Sequence, residues 1–219
     1  PNVSDTCPQA PTWVLPYIDQ PLVFWESIAR DYEGLIREVY FPLPGGHIGS
    51  GAPAQPDAHL LELLRHAPLP CAALVNPIVL TRPVAAAAPP VIETLKRLCS
   101  DFGLSGATVT DLALATRIRE AIPDLPLTAS CLMQIARPNQ VPLLEGIIDT
   151  VVPDTRIVRD LRALAALKEA FSGRIRLMVN ESCLPGCPFR VQHFYEMGGG
   201  FPHPLSLCAE LLEKQPWLR

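Results

Sequence analysis

The sequence predicts an α/β protein built as a TIM-type (βα) barrel, complete or incomplete, with an N-terminal helical arm, and three observations carry that expectation. Short β-like apolar runs alternate with helix-spaced stretches along most of the 219 residues. About six such runs separated by helices require a parallel sheet with right-handed crossovers. Polar residues also stand where several runs should end, at Asn76, Asp111, Ser130, Arg159 and Asn180. In a barrel those ends converge on one face, where the chemistry of that fold sits. An open doubly wound sheet fits the same alternation and is the alternative.

The elements follow in order. Residues 1–20 are broken by proline and read as extended, while Leu22, Trp25, Ile28, Ala29, Tyr32 and Leu35 recur at helical spacing. Residues 1–36 thus form an arm and helix, and 37–219 the barrel domain, with a Cys-rich segment at 180–208. Val39 to Leu43 reads as a strand that ends in the glycine-rich loop from Gly45 to Gly51. Beyond it the pattern predicts a helix near 56–67, a strand from Cys71 to Val75 or beyond, a helix near 89–102, a strand from Ala107 to Thr110 and a helix near 112–121. A strand from Leu127 to Cys131, a short helix at 138–145, a strand from Ile147 to Val152, a helix at 160–172 and a strand from Ile175 to Val179 complete the series.

Composition bounds the function. With 48% apolar residues and a net charge of −4, the chain buries one substantial core and shows no basic stripe of the kind that neutralises duplex phosphates. No run reaches the roughly 20 apolar residues that span a bilayer, and the first residues lack the parts of a signal peptide. The reading is a cytoplasmic protein that takes a small-molecule substrate and either stands alone or forms a homo- or hetero-oligomer. Seven cysteines are an odd number, and the chain is too large to need a disulfide framework, so metal binding or catalysis is the better question. The 25 prolines sit singly or in pairs between apolar runs and punctuate the elements.

The most informative stretch runs from Met178 to Phe194. Cys183 and Cys187 flank Pro185 and Gly186, which force a turn that can bring both sulfurs toward one centre. Thiolates so placed suit an iron–sulfur cluster or zinc. Two cysteines do not complete a site, and Cys131, Cys208 and His193 are the candidates for the remainder; Cys131, Cys183, Cys187 and Cys208 together supply four thiolates. Free structural cysteines beside a turn are the bland alternative. Cys71 and Cys99 fall in apolar patterns and read as core residues, and Cys7 lies in the extended tail. Arg190 offers a fork of donors for a carboxylate or phosphate. His193 is open to three readings, as ligand, proton carrier or core histidine. Asn180 and Glu181 at a strand end can orient a substrate or act as acid and base, or simply cap the loop.

From about residue 105 to 194 the residues resemble the U32 peptidase family, also called collagenase-like proteases. Gly106-Ala107-Thr108-Val109-Thr110-Asp111, Leu127-Thr128-Ala129-Ser130, Val151-Val152-Pro153-Asp154 leading to Arg159-Asp160-Leu161, and Cys183-x3-Cys187 with Arg190 close behind carry the likeness. The resemblance implies a TIM-like barrel and, as in several members, a 4Fe–4S cluster on four cysteines that serves oxygen-independent hydroxylation of ubiquinone precursors or RNA bases. It matches Cys183 and Cys187 to the family's C-x3-C pair and Arg159 to the arginine after the preceding strand. The chain departs from the family in one respect: the stretch from Ser172 to Leu177 has no cysteine where members often have two.

Three functions remain in view. The first is an iron–sulfur or metal-dependent enzyme, with Cys183, Cys187, Cys208 and Cys131 as ligands and Arg159, Arg190 and Asn180 facing a small anionic or nucleobase-like substrate. The second is a peptidase, cysteine-type or metal-dependent, with Cys183 or Cys187 as nucleophile and His193 as base; no HExxH helix is present. The third is a non-catalytic subunit with a structural zinc, in which Trp13, Tyr17, Phe24 and Trp25 seal the barrel's bottom or bind another chain. The Gly45–Gly51 loop lacks the P-loop lysine and reads as a mobile loop at the barrel mouth, with His47 and Ser50 near substrate.

Overall fold

Each apolar run of the sequence pairs with the run that follows it. The computed structural model describes residues 11–44, 57–76, 83–180, 187, 189–190 and 213–214. The strands are β1 (Trp13–Pro16), β2 (Ile36–Pro42), β3 (Cys71–Val75), β4 (Gly106–Val109), β5 (Leu127–Ala129), β6 (Thr150–Val151) and β7 (Arg174–Ile175). The helices are α1 (Leu22–Asp31), α2 (Ala58–His66), α3 (Val84–Phe102), α4 (Leu112–Ala121) and α5 (Leu161–Ala170), with 3-10 turns at Cys131–Met133, Pro138–Leu143 and Thr155–Ile157. All seven strands are parallel and lie in chain order.

That order decides between the two architectures. A doubly wound sheet reverses direction once, whereas right-handed crossovers that never reverse put every helix on one face and curl the sheet. The carboxylate of Glu38 on β2 meets the guanidinium of Arg176, one residue past β7, at 2.8 Å. Side chains from the second and seventh strands therefore touch across the interior, and the sheet is a half-barrel. Among the described residues β7 does not pair with β1.

Alternation along the strands sorts the side chains into two layers. Val39, Phe41, Cys71, Ala73, Val75, Ala107, Val109, Leu127, Ala129 and Val151 belong to one buried apolar cluster with Leu60, Leu63 and Leu64 of α2, Val91, Leu95 and Leu98 of α3, Leu114 and Ile118 of α4 and Leu167 of α5. This layer between sheet and helices is the core; full burial of a side chain such as Leu63 contributes about 2 kcal/mol. The intervening residues, Glu38, Tyr40, Ala72, Leu74, Thr108, Thr128 and Thr150, line the other face. A TIM barrel commonly fills that space with bulky branched residues, and here it is largely polar.

The structure departs from the sequence reading in several places; the runs expected at Leu127–Cys131 and Ile175–Val179 form only Leu127–Ala129 and Arg174–Ile175, and the helix expected at 138–145 is the 3-10 turn Pro138–Leu143. Trp13–Pro16 pairs in parallel with β2, so part of the expected arm is the first strand of the sheet. Four residues between prolines are too short to show an alternation. Tyr17 stacks on Trp25 with ring centroids 5.9 Å apart and Phe24 meets Trp25 edge-on at 5.2 Å. This cluster follows the carboxyl end of β1 and does not seal the barrel's bottom, while Trp13 is half exposed. Helix α3 starts after Pro83 and carries Pro89 and Pro90 inside it. Those prolines read as a helix start, but the alanines before them propagate helix well, and Val91, Leu95 and Leu98 anchor the remainder. The run from Ile147 to Val152 yields only Thr150–Val151, because Gly146 turns the chain at φ +73° and the Asp149 carboxylate binds Leu127 N–H at 2.7 Å and Arg119 at 2.5 Å.

Candidate functional site

Parallel strands in chain order bring their carboxyl ends together, and the chemistry-bearing side chains of this protein gather there. After β6 the chain runs Val152-Pro153-Asp154 into the 3-10 turn Thr155–Ile157. Asp154 is 4% exposed and its carboxylate caps that turn, accepting from Arg156 N–H at 2.8 Å. It also binds the Arg156 guanidinium at 3.0 and 2.6 Å. Burial alone would raise the Asp154 carboxyl; the hydrogen bonds from Arg156, together with the positive charges of Arg156 and Arg190, outweigh burial and hold it below the ordinary carboxylate range. A buried carboxylate, ionised near neutral pH, sits at the end of β6.

Arg190 reaches the same place. Its Nη1 donates to Thr155 Oγ1, and its backbone N–H donates to the Cys187 carbonyl at 3.3 Å. The end of β6 thus holds Arg190, and through it the half-buried Cys187. Cys131 opens the turn that directly follows β5, where it is 8% exposed. Tyr40 on β2 completes this set. Burial raises its phenol first, the nearby Cys131 adds to the shift, and the Arg176 charge opposes it. Tyr40, Cys131 and Arg176 accordingly lie within electrostatic reach of one another inside the half-barrel.

Several residues singled out in the sequence have structural roles here. Asp111 caps α4, accepting from Leu114 N–H at 2.7 Å. Ser130 caps the turn after β5 through Leu132 N–H at 3.2 Å, and Asn76 Oδ1 accepts from the Thr110 hydroxyl, which ties the ends of β3 and β4 together. Arg159 lies exposed in the turn before α5, and Asn180 is exposed beyond β7. Cys71 and Cys99 pack in or against the core. Burial, with a smaller contribution from Glu38, pushes the Cys71 thiol up to about 12, and burial also raises that of Cys99. Glu181, Cys183, His193, Cys208, Cys7, His47 and Ser50 lie outside the described residues.

The sequence reading missed Asp154, Thr155 and Tyr40 as members of this site. Asp154 stood in the motif Val151-Val152-Pro153-Asp154, which carried the family likeness and assigned it no role. Among the described residues no three His, Cys, Asp or Glu side chains gather closely enough to hold a metal ion. Also among the described residues, no helix is long and apolar enough to cross a membrane.

No family model matches the sequence, and no curated protein matches it either. Solved structures do match. The structure of the U32 peptidase Mk0906 aligns over 86% of this chain and 76% of its own, with a TM-score of 0.68 and 15% identity. A racemase candidate from Roseobacter denitrificans aligns over 84% of this chain and 50% of its own, with a TM-score of 0.46 and 14% identity. A mandelate racemase candidate from Alicyclobacillus acidocaldarius aligns over 76% of this chain and 42% of its own, with a TM-score of 0.42 and 17% identity. In fold, this chain is similar to the U32 peptidase Mk0906, the same family that residues 105–194 resemble in sequence.

Proposed function

We propose that the chain is an iron–sulfur or metal-dependent enzyme that works at the carboxyl-terminal mouth of its half-barrel on a small anionic or nucleobase-like substrate. The observation that carries this reading is the attachment of Arg190 to Thr155, which holds the Cys187 segment at the same end of the sheet as Cys131. Cys187 and Cys131 are two of the four thiols in the proposed ligand set, with Cys183 and Cys208 as the others. The donor chemistry fits, because soft thiolates select an iron–sulfur cluster or zinc. Cys71 and Cys99, raised by burial, are poor ligands by comparison.

When bound, the group would supply electron transfer or polarisation of the substrate. The chain's own residues would do the remainder. Asp154 fixes Arg156 and draws Arg190 to the mouth, where Arg190 is a positioning residue for the cysteine segment. Tyr40 stays protonated through the physiological range, so it offers a phenolic hydrogen-bond donor from the barrel wall. Oxygen-independent hydroxylation, the chemistry implied by the family resemblance, is the reaction class with which a substrate search would begin.

The test is iron, zinc and acid-labile sulfide analysis with an absorption spectrum on protein purified without oxygen. Iron and sulfide in near-equal amounts, lost in a Cys183→Ser/Cys187→Ser variant, are expected. Zinc alone would turn the reading toward a structural or hydrolytic site. Absence of metal would overturn it and leave the peptidase reading, to be tested by peptide turnover.

A further inference from the structure

The opposite end of the half-barrel has a chemistry of its own. Thr108 on β4 pairs with Thr128 on β5, Thr128 with Thr150 on β6, and Thr150 with Arg174 on β7. Three successive strands therefore present a threonine at one level of the interior, and the fourth presents an arginine. All three threonines are buried, at 8, 7 and 4% exposure. Valine would fill this space with the same shape and without the cost of desolvating a hydroxyl.

These residues line a cavity of about 50 Å³ that opens toward the amino ends of the strands, as the presence of Ser105 and Pro126 in its wall shows. Among the described residues, Arg37, Arg174 and Arg176 line it together with a single carboxylate, Glu38. Three guanidinium groups against one carboxylate leave a formal excess of two positive charges around one small polar space. Glu38 is engaged by Arg176 at 2.8 Å, and Arg174 Nε lies 3.4 Å from Thr150 Oγ1. Among the described residues, Arg174 is held loosely at one nitrogen, which leaves its paired terminal nitrogens for a bidentate partner.

We infer that this cavity binds a small oxyanion, a carboxylate or phosphate group, between the Arg174 guanidinium and the threonine row. The hydroxyls can turn to donate to an oxyanion, and arginine matches the planar fork of a carboxylate or the edge of a phosphate. Burial of the three threonines strengthens their contacts relative to water. The site lies at the other end of the strands from Asp154 and Arg190, so it stands independently of the proposed enzyme activity.

The test is calorimetric titration of the full chain with inorganic phosphate and, separately, with succinate, each repeated at ionic strength matched with sodium chloride. Saturable one-site binding of at least one anion is expected, and the tighter of the two identifies the ligand group. Arg174→Gln should weaken binding about tenfold, the effect of losing a charged hydrogen bond. Thr128→Val, of nearly the same shape, should weaken it several-fold and serves if Arg174→Gln does not fold. Arg156→Gln, at the opposite mouth, should leave binding unchanged. The inference is overturned if neither anion saturates, if matched chloride abolishes the binding, or if Arg156→Gln weakens it as much as Arg174→Gln.

Discussion

Glu38 and Arg176 lie on the second strand and just past the seventh, yet their side chains meet at 2.8 Å with only 11 and 20% of their surfaces exposed. Closing that distance requires the intervening strands to curl. Removing one partner would leave the other as an isolated charge in a shielded place. Arg176→Ala should therefore destabilise the fold by about 2–3 kcal/mol in urea, less than for a fully buried pair because Arg176 keeps some solvent. A double Glu38→Gln/Arg176→Met variant should recover part of that loss. A single variant as stable as the wild type would show that curling does not depend on the pair.

Asp154 should impose a pH dependence on stability. Its folded-state pKa lies below the ordinary value, so the unfolded chain binds the proton more readily and the stabilisation is present above the unfolded value of about 3.9. It is lost as pH falls through the folded value. Arg156 is 64% exposed, so screening limits the contribution to about 1 kcal/mol near neutrality. Urea midpoints of the wild type and Asp154→Asn should differ at about pH 6 and converge in acid. Parallel curves would assign no such role to the carboxylate.

Asp111→Ala should cost about 1 kcal/mol by removing the cap of α4, with Asp111→Asn close to the wild type. Metal content should be unchanged in both. Loss of metal in Asp111→Asn, at wild-type stability, would move this residue from the helix cap into the site.

If the thiol set holds a metal, Arg190→Met and Thr155→Val should each weaken its retention about tenfold, the usual consequence of removing a group that orients a ligand. Arg159→Gln, on an exposed turn, should leave retention unchanged. Competition with a chelator reads all three variants. Equal retention throughout would separate the β6 end from the cysteine segment.

The core side of this fold was open to reading from the sequence because apolar residues on alternate strand positions report burial directly. The strand at Cys71–Val75 matches its apolar run, and α4 matches its helical spacing to the residue. The first strand, Trp13–Pro16, was hidden because its four residues gain their pairing from β2 and from Leu35 just before it, some twenty residues along the chain. The interior side was hidden for a different reason. Thr108, Thr128 and Thr150 look like ordinary strand residues until register sets them side by side, and Glu38 and Arg176 are separated by most of the chain. Asn76, Asp111 and Ser130 did stand at strand ends, as their spacing implied. Their bonds to Thr110, Leu114 and Leu132 are local geometry that residue type alone does not resolve.

Because the strands lie in chain order, every β-ladder among the described residues joins neighbours in sequence. Loop-closure entropy is then met in short steps, and the mean sequence separation of contacts is low for a parallel sheet. Each βα unit emerging during synthesis would find a finished edge to dock on and would leave a new edge for the next. Assembly can proceed from the amino terminus without waiting for a distant partner, and Glu38, made early, has to wait for Arg176 near its end. That one contact would report, by its late arrival, when the growing sheet has rolled over on itself.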